Sequence, residues 1–285
     1  MWSLSTTDQP NAPIGVFDSG LGGLTVLDEL VRAMPHERFI FVGDSARCPY
    51  GPRDPHEVRG FVLEMCDYLR TFGCKMIVIA CNTATAAGLM DAQRAYDVPV
   101  VGVVEPGARA AAHMTHTRRV GVIATEGTIG QGAYENAITH LDAGISVFSR
   151  ATPEFVRIAE ARFADGLKAP IAKEDALIMR EHLQPLRERD IDALVLGCTH
   201  YPLLQDAIAA EMGAGVTLVS SAEETAREVR SILERRGDLA PDGAPLEIDI
   251  KVTGDDAAKF AKTAEGILGV DVTVERVELM RGRRR

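Results

Sequence analysis

What most limits the fold of this chain is a series of short apolar stretches that do not alternate with polar residues. IGVF (14–17), FIFVG (39–43), MIVIA (76–80), VPVVGVV (98–104) and ALVLG (193–197) are the clearest, and RVGVIAT (119–125), ISVFSR (145–150), VTLVSS (216–221) and LEIDIKVTG (246–254) continue the series. A strand with one wet face alternates, whereas a strand buried on both faces does not. Between these runs lie segments of helical spacing, such as LTVLDELVRAM, where Leu24, Leu27, Leu30 and Met34 recur every three or four residues. EVRGFVLEMCDYLRTFG, TATAAGLMDAQRAY, QGAYENAITHLD, PEFVRIAEARFA, KEDALIMREHLQPLRE, PLLQDAIAAEM, AEETAREVRSILERR and DAAKFAKTAEGIL read as helices too. The alternation predicts an α/β fold of open, mainly parallel sheets with helices on both faces. Such sheets hold ligands just beyond the carboxyl ends of their strands, so those positions are read for chemistry.

The chain also repeats itself weakly. IGVFDSG resembles VGVIATEG at an offset of 120 − 14 = 106 positions, and IVIACNTA resembles LVLGCTHY at 198 − 81 = 117. Duplication into two similar α/β lobes with a site between them would explain both, although strand-turn-helix units also converge in pattern. The expected first lobe runs from 13 to 104 and takes the chain back near 215, continuing to 285; the second covers 105–214. Residues 1–12 read as a flexible tail. The crossings are expected at VVEPGARAAA and EMGAGV.

Composition narrows the function classes. The formal net charge of −10 argues against a nucleic-acid surface, which needs clustered Lys and Arg, and the terminal RGRRR reads as a solvated tail. Five cysteines form no CxxC pair and sit beside no histidine cluster, so neither a disulfide framework nor a structural metal site is expected. No apolar run nears the roughly 18 residues of a membrane helix. The amino terminus lacks the order of a signal peptide, and a cytoplasmic protein with reduced thiols is the expectation.

Cys81 and Cys198 each end an apolar strand and precede hydrogen-bonding residues, Asn82-Thr83 and Thr199-His200, at what reads as a helix start. Free amides and the positive end of a helix dipole there are expected to lower a thiol pKa and attract carboxylates. One such cysteine is as well explained as a small buried hydrophobe; two at equivalent strand ends suggest proton transfer or nucleophilic attack. His200 could relay a proton to a thiol, hold a carboxylate, or simply cap a helix. Asp18-Ser19-Gly20 follows the first strand, and Asp18 reads either as a cap or as a group that poises a thiol or binds an ammonium. Asp44 and Tyr50-Gly51 mark a third strand-end loop. GLGG lacks the G-x-G-x-x-G spacing, and no Walker, HExxH or GxSxG pattern occurs, so cofactor chemistry has nothing to rest on.

Taken together, DSGLGGLTVL, GDSARCPYG, ACNTATA, VVEPG and LGCTHYPLL resemble the glutamate racemases of bacterial cell-wall synthesis. LVSSAEETA and VTGDDAAKFA extend the likeness toward the carboxyl terminus. The resemblance implies a cofactor-independent racemase of two similar domains, in which one thiolate removes the α-proton of glutamate and the opposite thiol reprotonates the other face. Carried over by motif, Cys81 and Cys198 are the acid/base pair, with Asp18 assisting Cys81 and His200 assisting Cys198. Ser19, Tyr50, Gly51, Asn82, Thr83 and Thr199 match substrate-binding positions. Asp44 and Glu160 match further acidic residues, and Thr125, in the place that Ser19 holds in the first lobe, is a further expected contact with a helix N-cap as its alternative. The resemblance implies D-glutamate supply for peptidoglycan, a homodimer, and a contact with DNA gyrase as a further role. This chain departs from many relatives at Ser220-Ser221, where they have Asp-Ser, and at Cys48, where they have a valine-like residue. An aspartate racemase and a cysteine amidase using Cys198 and His200 are the competing readings.

Overall fold

The structure is a computed structural model, and it describes residues 9–164, 169–255 and 257–279. The chain opens with β1 (Ile14–Asp18), α1 (Leu24–Ala33), β2 (Arg38–Gly43), α2 (Pro55–Arg70), β3 (Met76–Ile79), α3 (Asn82–Ala95) and β4 (Val100–Gly102). Next come α4 (Val104–Met114), β5 (Arg119–Ala124), α5 (Glu126–Gly130), α6 (Ala133–Leu141), β6 (Ser146–Ala151), α7 (Glu154–Ala164) and α8 (Lys173–Arg187). Then follow β7 (Ala193–Gly197), a 3-10 turn (Tyr201–Leu204), α9 (Gln205–Met212), β8 (Thr217–Ser220), α10 (Ser221–Arg236), β9 (Glu247–Val252), α11 (Ala257–Leu268) and β10 (Val274–Arg276).

The strands form two sheets, ordered β10-β9-β2-β1-β3-β4 and β6-β5-β7-β8, and every described strand pair is parallel. β1, β2, β3 and β4 occupy the relative places that β5, β6, β7 and β8 take in the second sheet, so the repeat suspected from the sequence is a repeat of topology. In each sheet the order reverses about its first strand, the arrangement that opens a crevice beyond the strand ends.

Burial explains the non-alternating strands. β1 and β3 are buried at every position, with Ile14, Val16, Met76 and Val78 on one face and Phe17, Ile77 and Ile79 on the other. The first face is covered by α1, α10 and α11, where Leu24, Leu27, Leu30, Val229 and Phe260 are completely buried, each contributing about 1.5–3 kcal/mol. α2 and α3 cover the other face through Val58, Val62, Leu69 and Leu89. The second sheet has the same two layers, α4 and α6 on one side and α7, α8 and α9 on the other.

Three sequence expectations change. β8 pairs with β7, with Leu218 beside one second-sheet core and Val219 in the other, so the return expected near 215 comes only after Ser220. β10, hydrogen-bonded to β9 at the sheet edge, was not foreseen, because three residues with two charges carry no strand signature. The expected strand 98–104 is only three residues long, since α4 starts at Val104. Of the expected tail, residues 1–8 lie outside the described residues; Gln9–Asn11 form a 3-10 turn, and the Pro10 carbonyl accepts a 2.8 Å hydrogen bond from buried Lys75. RGRRR also lies outside the described residues. Among those described, no helix is long and apolar enough to cross a membrane.

Candidate active site

The carboxyl ends of β1, β3, β5 and β7 converge on a cavity of about 450 Å³, within the roughly 300–1,000 Å³ range of small-molecule sites. Cys81 and Cys198 both line it, one from each sheet, together with Ser19, Tyr50, Gly51, Asn82, Thr83, Thr125, Thr199, His200 and Glu160. Asp18 and Asp44 stand behind this surface, both completely buried. Cys81 and Cys198 are 5% and 6% exposed, open to a ligand in the cavity and to little else.

Local structure places each sulfur differently. Cys81 is the N-cap of α3, and its sulfur accepts the Ala84 amide at 3.4 Å while its thiol donates to Ser19 Oγ at 3.7 Å. The expectation of a lowered pKa fails for Cys81. Burial, and then the charge of Asp18, raise the Cys81 thiol and outweigh the Ala84 amide. Cys198 does not open an α-helix: residues 201–204 make a 3-10 turn with Pro202 in its first turn, and α9 begins at Gln205. Its partner is His200, with Nδ1 3.8 Å from the sulfur.

His200 is 4% exposed. Burial works against its protonation, but the contacts with Cys198 and Glu160 and the charge of Asp18 prevail, raising its pKa from 6.5 to about 10. Glu160 Oε1 lies 3.3 Å from Nε2, an ion pair by distance, although the ring N–H is not aimed well enough for a hydrogen bond. The histidine in turn holds the Glu160 carboxyl below its usual range, against the effect of burial.

Asp18 stands between the halves. Oδ2 accepts the Gly20 and Gly23 amides, each at 3.0 Å, and Oδ1 accepts the Thr199 hydroxyl at 3.5 Å. Burial raises its pKa, opposed by His200 and those amides. Its hydrogen bonds thus go to the glycine loop and Thr199; the group that reaches Cys81 is its neighbour Ser19. Gly22 makes this closeness possible: a Cβ there would stand 2.4 Å from Thr199 Oγ1 and 2.6 Å from His200 Nδ1. Within GLGG, Gly22 is the position that the second half's Thr-His pair presses against, while Gly20 faces Cys48 and Gly23 faces Asp18.

Asp44 does not line the cavity, contrary to its reading as a site acid. It accepts hydrogen bonds from Tyr50 Oη, from Arg47 Nε at 2.6 Å and from Thr253 Oγ1 at 2.7 Å, so it fixes the loop that carries Tyr50 and Gly51. A strand-end position shows where a residue starts and not which way its side chain turns. Thr125 lines the cavity and takes the N-cap role. It caps α5 by accepting the Thr128 amide at 3.4 Å, and it meets Thr83 Oγ1 at 2.8 Å across the cavity wall. Asn82 accepts the Tyr134 hydroxyl at 2.7 Å, while its Nδ2 is buried without a partner among the described residues.

The sequence reading missed Cys48, Pro49, Pro52, Glu126, Pro153, Val156 and Arg157, all on the cavity wall. Cys48 had been noted only as a departure from relatives; burial pushes its pKa up to about 12, with a further contribution from Asp18. Pro153, Val156, Arg157 and Glu160 fall at helical spacing at and inside the start of α7, the one signal that could have joined them. Among the described residues no group of three or more His, Cys, Asp or Glu is arranged to hold a metal ion.

Residues 14–229 match the family model described as Asp/Glu/Hydantoin racemase. A glutamate racemase from Bacillus cereus is 51% identical over 223 residues, 78% of this chain and 81% of that one. Among solved structures, a glutamate racemase from Bacillus anthracis superposes with a TM-score of 0.89 at 44% identity, covering 95% of this chain and 98% of its own. One from Francisella tularensis, in complex with D-glutamate, gives 0.84 at 32% identity, with the same coverage.

Proposed function

Because the chain belongs to the Asp/Glu/hydantoin racemase family, we propose that it is a glutamate racemase, interconverting L- and D-glutamate without a cofactor and supplying the D-isomer for peptidoglycan. The observation that carries this reading is the pair of thiols, Cys81 and Cys198, lining one cavity from equivalent strand ends of two sheets with the same order. Moving a proton from one face of a carbon to the other needs a base and an acid on opposite sides, and two like halves supply them.

In one direction the thiolate of one cysteine takes the α-proton, leaving a planar carbanion, and the other thiol gives its proton to the opposite face. The reverse direction exchanges the roles. The α-proton next to a carboxylate is very weakly acidic, so donors must oppose the negative charge as it develops. Asn82, Thr83 and Thr199 offer such donors from the two strand ends, while buried Asp18 acts from behind them, holding the glycine loop and the Thr199 hydroxyl. The Tyr50–Gly51 loop and the Ser19 hydroxyl complete the binding surface. The division of labour, Cys81 with Asp18 and Ser19 on one face and Cys198 with His200 and Glu160 on the other, belongs to this proposal. So does the division into a lobe of 13–104 with the carboxyl-terminal strands and a lobe from 105 to Ser220.

The amidase reading has one geometric point in its favour, the 3.8 Å separation of Cys198 and His200. It leaves Cys81 without a task. The deciding experiment incubates the protein with each glutamate enantiomer in D2O and follows deuterium at the α-carbon together with optical rotation. Exchange and racemisation are expected with both enantiomers and no added cofactor. A folded protein that exchanges neither would end the racemase reading.

A further inference from the structure

We infer that Tyr134 is a positioning residue: its hydroxyl, reaching across from the second half, ties down the oxygen of the Asn82 amide and so turns the amide nitrogen toward the cavity as a donor to a substrate carboxylate. The inference rests on the racemase reading for its substrate. Tyr134, on α6, is 2% exposed and donates to Asn82 Oδ1 at 2.7 Å. A primary amide has one acceptor end and one donor end, so fixing the oxygen fixes where the nitrogen points. Asn82 is 2% exposed and lines the cavity, and its Nδ2 has no partner among the described residues. A buried donor in that state is destabilising until something supplies an acceptor. A carboxylate consists of acceptors only, and glutamate brings two.

The surroundings keep the phenol in place. A Cβ on Gly197 would come within 3.0 Å of the ring, and one on Gly107 within 3.3 Å of the ring and 3.4 Å of the hydroxyl oxygen. Ser221, whose hydroxyl donates to the Leu196 carbonyl at 3.3 Å, also lies against Gly107: a Cβ there would come within 3.2 Å of the Ser221 Cβ. Gly107 belongs to α4, which follows the first crossing between sheets, and Ser221 opens α10 directly after the second. Tyr134 therefore stands where both connections between the halves meet, and the aim of Asn82 is set by how the halves are joined.

Tyr134→Phe removes the hydroxyl and keeps the ring. KM for both glutamate enantiomers is expected to rise about tenfold, the scale of one weakened hydrogen bond to a charged group, with kcat changing by less than about threefold. In the substrate-free protein, 15N relaxation of the Asn82 side-chain amide should show an ordered group in the wild type and a mobile one in Y134F. Unchanged KM or unchanged amide order would overturn the inference. So would a full Y134F effect in an Asn82→Ala background, because a residue acting through Asn82 should there add less than about twofold. Should Y134F not fold, Asn82→Asp keeps the acceptor for Tyr134 and loses the donor; KM unchanged from wild type would equally overturn the inference. Failure of the racemase reading is seen separately, as a wild type without α-proton exchange, while the amide order still decides the role of Tyr134.

Discussion

The two halves carry the same unit, a buried strand that delivers a cysteine at its carboxyl end, yet they surround the sulfur with different chemistry. Cys81 caps the 14-residue α3 and meets a backbone amide and the Ser19 hydroxyl. Cys198 leads into a 3-10 turn and meets an imidazole backed by Glu160. Shared topology therefore fixes where the two thiols stand, and the residues that follow each strand fix what stabilises them. Under the proposed two-thiol transfer, the pair has matched positions and unmatched partners.

The sharpest break of this comparison is serine in place of either thiol. Cys81→Ser and Cys198→Ser should each reduce racemisation by about a thousandfold or more, the upper range for a lost acid/base group. The two variants should block α-proton abstraction from opposite enantiomers in D2O. If both impaired the same enantiomer, the assignment of one thiol per face would fall.

Gly22→Ala comes next, because it lies in the first half but strikes the second. A methyl 2.4 Å from Thr199 Oγ1 and 2.6 Å from His200 Nδ1 cannot be accommodated without moving that loop. Activity should fall about a hundredfold from misplacement of reacting groups, with about 1–3 kcal/mol of stability lost to overpacking, read from urea denaturation.

His200→Asn should act mainly on the Cys198 side, slowing abstraction from one enantiomer more than from the other. It also has a pH signature. The pKa of His200 is raised from 6.5 to about 10, so the protonated ring stabilises the fold fully below about 6.5, and this contribution is withdrawn as pH rises toward 10. The stability difference between wild type and variant should shrink over that window, and a difference that grew with pH would contradict the buried imidazolium. The smallest effect is expected for Thr125→Ala, which removes a cap worth about 1 kcal/mol and the contact with Thr83, measurable as a modest drop in melting temperature with a small rise in KM.

Much of this was legible in the chain because strands buried on both faces give an unmistakable pattern, and because the strand-end motifs carry most of the cavity wall. The equivalence of Ser19 and Thr125 could be read from IGVFDSG and VGVIATEG, and both residues line the cavity from equivalent strand ends. Legibility stopped where position depends on packing between halves. Val156 and Arg157 reach the cavity only because α7 crosses it, Asp44 turns away toward Tyr50 and Thr253, and Tyr134 meets Asn82 from 52 positions away. The Cys81 thiol differs from expectation for a related reason: a helix N-terminus is visible in sequence, and the depth of burial that offsets it is not.

Beside the cavity the two halves meet through Thr83 against Thr125 and Thr128, and through the Gly127 amide on the Gly51 carbonyl at 2.9 Å. This seam is made of hydroxyls and backbone rather than oil. Water can replace each of its bonds at little net free-energy difference, so the two halves can part here without wetting a hydrophobic core. The Gly127 amide should accordingly exchange its hydrogen with solvent faster than the amides inside β5, and equal protection would show a seam that does not part.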